Sequence, residues 1–173
     1  NAHFKGFKRH HNEGGIRVPL IFNWPGQLAA STYPHMVSLL DLMATFAGLA
    51  KSTYQTEDSV DLMPYLSSNT EHPHEYLYWR SSPTRVIRDQ RWKLLQYAKS
   101  PYAVTELDSA RRISPPEAGW PRNAPKGYLT MLYDLQNDPG ERTNLAATHT
   151  ETVLRLQSAF DQWNRELPRQ SIL

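Results

Sequence analysis

The apolar residues of this chain change their period as it is read from one end to the other. Ile16–Phe22 is a short β-branched and apolar run stopped by Pro25-Gly26, the pattern of a buried strand. From Pro34 to Ala50 the period lengthens. Met36, Leu39, Leu40, Met43, Phe46 and Ala47 recur at three- and four-residue steps, which predicts a helix packed along one side, with Gly48 near its C-terminal boundary. Polar Lys51–Ser59 separates this helix from a different texture. Glu75–Arg80, Arg85–Arg88, Arg91–Tyr97 and Leu129–Leu135 are short, aromatic and β-branched, like the strands of an antiparallel sheet. Asp89-Gln90 falls between two of them as a tight turn, although Gln is a poor residue for the left-handed conformation such turns favour. Ser100–Lys126 is rich in proline and charge and reads as a long surface excursion between strands. The last stretch is helical again. Thr148 and Glu151 have capping-box spacing, Val153, Leu156, Phe160, Trp163 and Leu167 form one face, and Pro168 ends the run. That face predicts packing on the preceding sheet.

Composition narrows the class. At 173 residues the chain has the length of one domain with a real core, and its thirteen prolines and eight glycines argue against a helical bundle. Nineteen Lys plus Arg against seventeen Asp plus Glu leave a formal charge of +2, so nucleic acid is a poor candidate partner. The basic clusters Lys5–Arg9 and Arg85–Lys93 are short and suit local anionic groups. No run has the length of a membrane span and no signal peptide opens the chain; its first residues read as the middle of a motif. Without cysteine, disulfides, thiolate metal sites and a cysteine nucleophile are excluded within this stretch.

The chemistry concentrates near the start. Lys5-Gly6-Phe7-Lys8, Glu13-Gly14-Gly15-Ile16-Arg17-Val18-Pro19 and Trp24-Pro25-Gly26 put two lysines and an arginine around a glycine pair that frees the backbone to turn sharply. Such a turn can hold ammonium groups against a bound oxyanion, where charge-assisted hydrogen bonds are the strong ones; a plain solvated basic loop has the same composition. Trp79 and Arg80, at a strand end, could form a wall for an anionic sugar. Asp134, Asp138 and Glu141 lack the spacing of a calcium loop, and Asp138-Pro139-Gly140 is turn chemistry that Asp134 caps. His72, His74 and Glu75 have a proline among them and no helix to support a metal site.

The ordered set of motifs resembles the sulfatase family of the alkaline-phosphatase superfamily. Lys-Gly-x-Lys and Glu-Gly-Gly-Ile-Arg-Val-Pro resemble its lysine loop, and Asp41, Leu42 and Thr45 stand as in its Asp-Leu-x-Pro-Thr helix, with Ala44 in the place of proline. Asp61-Leu62-Met63-Pro64-Tyr65-Leu66, Val86-Ile87-Arg88-Asp89 with Trp92-Lys93-Leu94, and Leu132-Tyr133-Asp134-Leu135 through Asn144-Leu145-Ala146 continue the likeness. The resemblance implies an α/β chain: the C-terminal part of an alkaline-phosphatase-like sulfatase fold, ending in an α+β subdomain of antiparallel sheet and C-terminal helix. Residues 1–60 would be the trailing part of the catalytic domain and 61–173 the C-terminal subdomain.

By the same resemblance Lys8 is the lysine that contacts the sulfate group and offsets charge on the leaving oxygen, a task suited to a compact cation with three donors. His10 is a second candidate substrate contact, Arg80 a third, and Glu13 with Arg17 is expected to fix the turn. The resemblance further implies a calcium ion and a formylglycine nucleophile, both supplied by upstream residues absent from this stretch, so that the chain alone would not turn over. Implied partners are a sulfated small molecule or glycan and the N-terminal part of the same enzyme; implied locations are periplasmic, secreted or lysosomal. Two rivals are a phosphodiesterase or phosphonate hydrolase of the same superfamily and a non-catalytic module that binds sulfated glycans.

Overall fold

The computed structural model describes residues 3–53, 57–68, 71–81, 84–98 and 128–167. The expected excursion over Ser100–Lys126 lies outside them. The chain forms two compact units, one of Asn1–Val18 with Tyr78–Leu173 and the other of Pro19–Leu77. These units divide the chain by contact, whereas the boundary expected near residue 60 divides it by membership of a larger catalytic domain.

The first unit is built on a four-stranded sheet of β1 (Leu77–Ser81), β2 (Thr84–Arg88), β3 (Trp92–Ala98) and β4 (Tyr128–Asp134), in that order, with β2–β3 and β3–β4 antiparallel. Directly opposed residues share a face, so the register sorts the side chains. Val86, Leu95 and Met131 form one row, and Arg88, Lys93 and Tyr133 form the row beside it on the same face. Ile87, Leu94 and Leu132 take the other face, with Arg85, Gln96 and Thr130 next to them. The C-terminal helix lies on that second face, tied to it by Arg85–Asp161 and Gln96–Gln157 contacts. Its Leu156 and Phe160 are buried, and Trp163 stacks flat on Tyr78 at 4.7 Å. This is the α+β arrangement expected from the apolar periods.

The β2–β3 turn needs no left-handed residue: neither Gln90 nor Arg91 takes positive φ. Asp89 replaces that chemistry with its carboxylate, whose Oδ1 accepts the N–H groups of Arg91 and Trp92 at 2.8 and 2.5 Å. The expected capping box at Thr148 and Glu151 does not form. The helix begins at Thr150, and the Thr148 hydroxyl donates back to the Leu145 carbonyl instead.

The second unit contains a helix over Asp41–Leu49 and a shorter one over Met63–Ser68. A reciprocal cap stands before the first: the Ser38 N–H donates to Asp41 Oδ2 at 2.7 Å and Leu40 N–H to the Ser38 hydroxyl at 3.2 Å. Of the stripe expected to pack, Met36 is buried and Ala47 half-buried, but Leu39, Leu40, Met43 and Phe46 are all more than a third open to solvent, as is Leu49 beyond them. The buried positions are polar. Asp41 takes the Val60 N–H and His74 Nε2, and Thr45 takes the Leu62 N–H, so the helix is held to the following segment by hydrogen bonds.

The strand expected over Ile16–Phe22 is absent. Ile16 closes a short helical turn, α1 (Glu13–Ile16), and Ile21 is 86% exposed. A strand needs a ladder, and among the described residues no neighbouring strand pairs with this run.

Candidate functional site

The lysine loop grows out of the face of the sheet opposite the C-terminal helix. Its neck closes where the Gly14 N–H meets the Lys5 carbonyl at 2.7 Å. The glycine pair is required there: a Cβ on Gly15 would stand 2.1 Å from the His10 carbonyl oxygen, and one on Gly14 2.6 Å from that of Lys5. At the far end the His10 N–H bonds the Phe7 carbonyl at 2.9 Å across a turn with Lys8 and Arg9 at its corners. Arg9 has φ +80°, as the third residue of a type II turn requires, at a cost of about 1 kcal/mol for a residue with a Cβ.

Lys8 therefore sits at the tip, exposed, with no side-chain hydrogen bond or ion pair among the described residues. His10 packs its ring on Phe7 at 4.1 Å and accepts the Phe7 N–H on Nδ1. Burial lowers the His10 pKa; burial, then Lys93 and His10, lower that of His11, whose Nε2 is 3.3 Å from the Ser81 hydroxyl. Both rings thus favour the neutral form. Arg80 is brought elsewhere. Its Nη1 donates to Asn164 on the C-terminal helix at 2.7 Å, while Ser81, the next residue and so on the other face, meets the loop.

Beneath the loop lies a buried charge cluster. Lys93, without solvent exposure, places its ammonium 3.0 Å from Glu13 Oε1 and 3.0 Å from Glu141 Oε1. Arg88 reaches both oxygens of Glu13 at 3.2 and 3.1 Å. Glu141 Oε2 accepts the Glu13 N–H at 2.7 Å, and Lys5 donates to the Glu141 carbonyl at 3.2 Å and to the Tyr133 hydroxyl at 3.4 Å. Two buried carboxylates thus face two cations. Burial pushes the Glu13 pKa up, but Lys93, Arg88 and Arg17 together hold it below the usual value. Burial and the Glu141 carboxylate raise the Tyr133 hydroxyl and push that of Tyr97 up to about 12.

The expected Glu13–Arg17 pair exists at 4.0 Å with Arg17 largely exposed, so the turn is fixed chiefly by Lys93 and Arg88. Asp134 caps its turn as expected, accepting from Gln136 and Asn137, and Asp138 takes the N–H groups of Arg142 and Thr143. His74 is engaged by Asp41 at 2.8 Å. Among the described residues no group of three His, Cys, Asp or Glu side chains is arranged to hold a metal ion.

Arylsulfatase A of Bos taurus is 33% identical to this chain over 159 residues, covering 87% of the chain, and that of Homo sapiens is 32% identical over 77% of it. The chain belongs to the sulfatase family. An N-acetylgalactosamine-6-O-sulfatase of Bacteroides thetaiotaomicron is 25% identical over 91% of the chain. The chain spans about 30% of the length of these relatives, 30%, 27% and 29% in turn. A solved structure from the glycosaminoglycan-metabolising locus of Bacteroides thetaiotaomicron superposes on 95% of the chain with a TM-score of 0.71 at 24% identity, and Ps i-CgsB on 88% with a TM-score of 0.61 at 23%. The chain thus has the fold of the C-terminal part of an alkaline-phosphatase-like sulfatase. No protein-family model matches the chain.

Proposed function

We propose that this chain is the C-terminal part of an enzyme that hydrolyses a sulfate ester, with Lys8 contacting the sulfate group. The observation that carries the reading is an exposed ammonium without a protein partner among the described residues, at the tip of a loop whose neck is pinned by buried charge. A cation so presented can follow an oxyanion through bond cleavage and offset charge on the leaving oxygen. His10, neutral and accepting on Nδ1, carries its proton on Nε2 and can donate it to an ester or sugar oxygen. Arg80 contributes less in this reading, because one of its donors is already committed to Asn164.

Calcium and formylglycine are assigned in this reading to upstream residues, as the resemblance to the sulfatase family implies. The exposed apolar stripe of Leu39, Leu40, Met43, Phe46 and Leu49 supports the same reading, being the surface that an N-terminal part of the enzyme would cover. The substrate is then a sulfated small molecule or glycan.

The test is to assay the natively produced protein with p-nitrophenyl sulfate and p-nitrophenyl phosphate. Preferential cleavage of the sulfate supports the reading. Preference for the phosphate transfers it to a phosphoester or phosphonate hydrolase, and binding of a sulfated sugar without turnover of either ester transfers it to a binding module.

A further inference from the structure

We infer that Lys93 and Glu141 are positioning residues that hold the Lys8 loop in a preset conformation, an inference that rests on the reading of Lys8 as a substrate contact. Neither residue touches the tip. Lys93 leaves β3 on the face beneath the loop, in one row with Arg88 and Tyr133. All three side chains of that row grip the neck: Arg88 and Lys93 hold Glu13 at its C-terminal side, and Tyr133 takes Lys5 at its N-terminal side. Glu141 closes the grip from below, since its carboxylate takes the Glu13 N–H and its own carbonyl takes the Lys5 ammonium. Both ends of the loop thus converge on one residue, which is itself held at φ +54°. Strain of that kind persists only where surrounding contacts over-determine it.

The consequence is functional as well as structural. The neck hydrogen bond and the glycine pair give the loop one closed shape, and the cluster fixes that shape to the rigid sheet. Lys8 then pays little ordering entropy when an anion arrives, so its contribution is set by how firmly the neck is held. Loosening the cluster leaves the Lys8 ammonium in place chemically but spreads its position, which lowers kcat/KM through the same interaction that Lys8 makes.

The experiment is a double-mutant cycle in the natively produced protein between Lys8→Ala and Lys93→Met, read as kcat/KM for p-nitrophenyl sulfate, with hydrogen exchange of the His10 and Gly14 amides alongside. Glu141→Gln serves as the second variant, because it keeps an acceptor for the Glu13 N–H while removing the charge. The expected result is a 10- to 100-fold fall for Lys93→Met that is nearly absent in the Lys8→Ala background, with exchange at His10 and Gly14 accelerated at least tenfold more than exchange in β2 and β3. Losses that simply multiply, or loop amides that exchange as before in both variants, overturn the inference. Full turnover by Lys8→Ala alone overturns the reading of Lys8 instead, and the exchange arm still decides whether the cluster holds the loop.

Discussion

The ammonium of Lys93 lies 3.0 Å from the carboxylate of Glu13, eighty residues away in the chain, with almost no solvent reaching either side chain. Transferring such charges from water is costly unless each finds its partner, and removing one partner leaves the other buried and uncompensated. Glu13→Gln is therefore expected to destabilise the first unit by about 3 kcal/mol, the usual scale for breaking a buried pair. The check is its thermal unfolding midpoint against that of the exposed-site change Arg17→Gln, which should be nearly silent.

On the helix-facing side of the sheet, apolar packing adds to the polar ties of Arg85 and Gln96. Phe160 is 2% exposed, and truncation to Ala removes an aromatic ring from between the helix and Tyr78. A loss of about 3–5 kcal/mol is expected from chemical denaturation, the range for buried Phe→Ala changes.

Gly15→Ala should act on the loop and spare the sheet. Its Cβ would meet backbone oxygens at 2.1 and 2.7 Å, which cannot move as side chains do. Limited proteolysis should cut within residues 5–13 of this variant at least tenfold faster, while exchange in β3 and β4 stays as in the parent.

Asp134 supplies a pH signature. The Arg91 guanidinium, 2.7 Å away, outweighs partial burial and holds its carboxyl down to about 2. A carboxyl depressed when folded stabilises above its unfolded pKa, and that contribution disappears as pH falls from about 4 to about 2. Thermal scans across this window should show a flatter acid dependence for Asp134→Asn than for the parent. Glu13, also depressed, adds to the same acid loss.

Much of this was readable from the residues. The short aromatic and β-branched runs Arg85–Arg88 and Arg91–Tyr97, and the three- and four-residue steps from Val153 to Leu167, mark elements whose stability comes from burying apolar side chains, and those elements formed. Ile16–Phe22 did not become a strand because apolar content alone cannot supply a hydrogen-bonding neighbour. The Asp41–Leu49 helix formed as expected, yet polar Asp41 and Thr45 do its anchoring, because their partners, the N–H groups of Val60 and Leu62, lie 19 and 17 residues away where a local period cannot show them. The buried cluster was missed for a related reason. Lys93 and Glu141 look like surface residues by type, and only parity gives Lys93 away: it shares the inward face with Leu95 and Tyr97 at steps of two. Nothing comparable betrays Glu141, which enters the cluster from an irregular turn.

The most direct measurement is kcat/KM for p-nitrophenyl sulfate of the natively produced protein and of its Lys8→Ala variant, with Arg80→Ala as the comparison. A fall of about 100-fold or more for Lys8→Ala, the scale of losing one donor to a developing oxyanion, with a change of only a few fold for Arg80→Ala, is the predicted result. Equal turnover by Lys8→Ala and the parent would contradict the account.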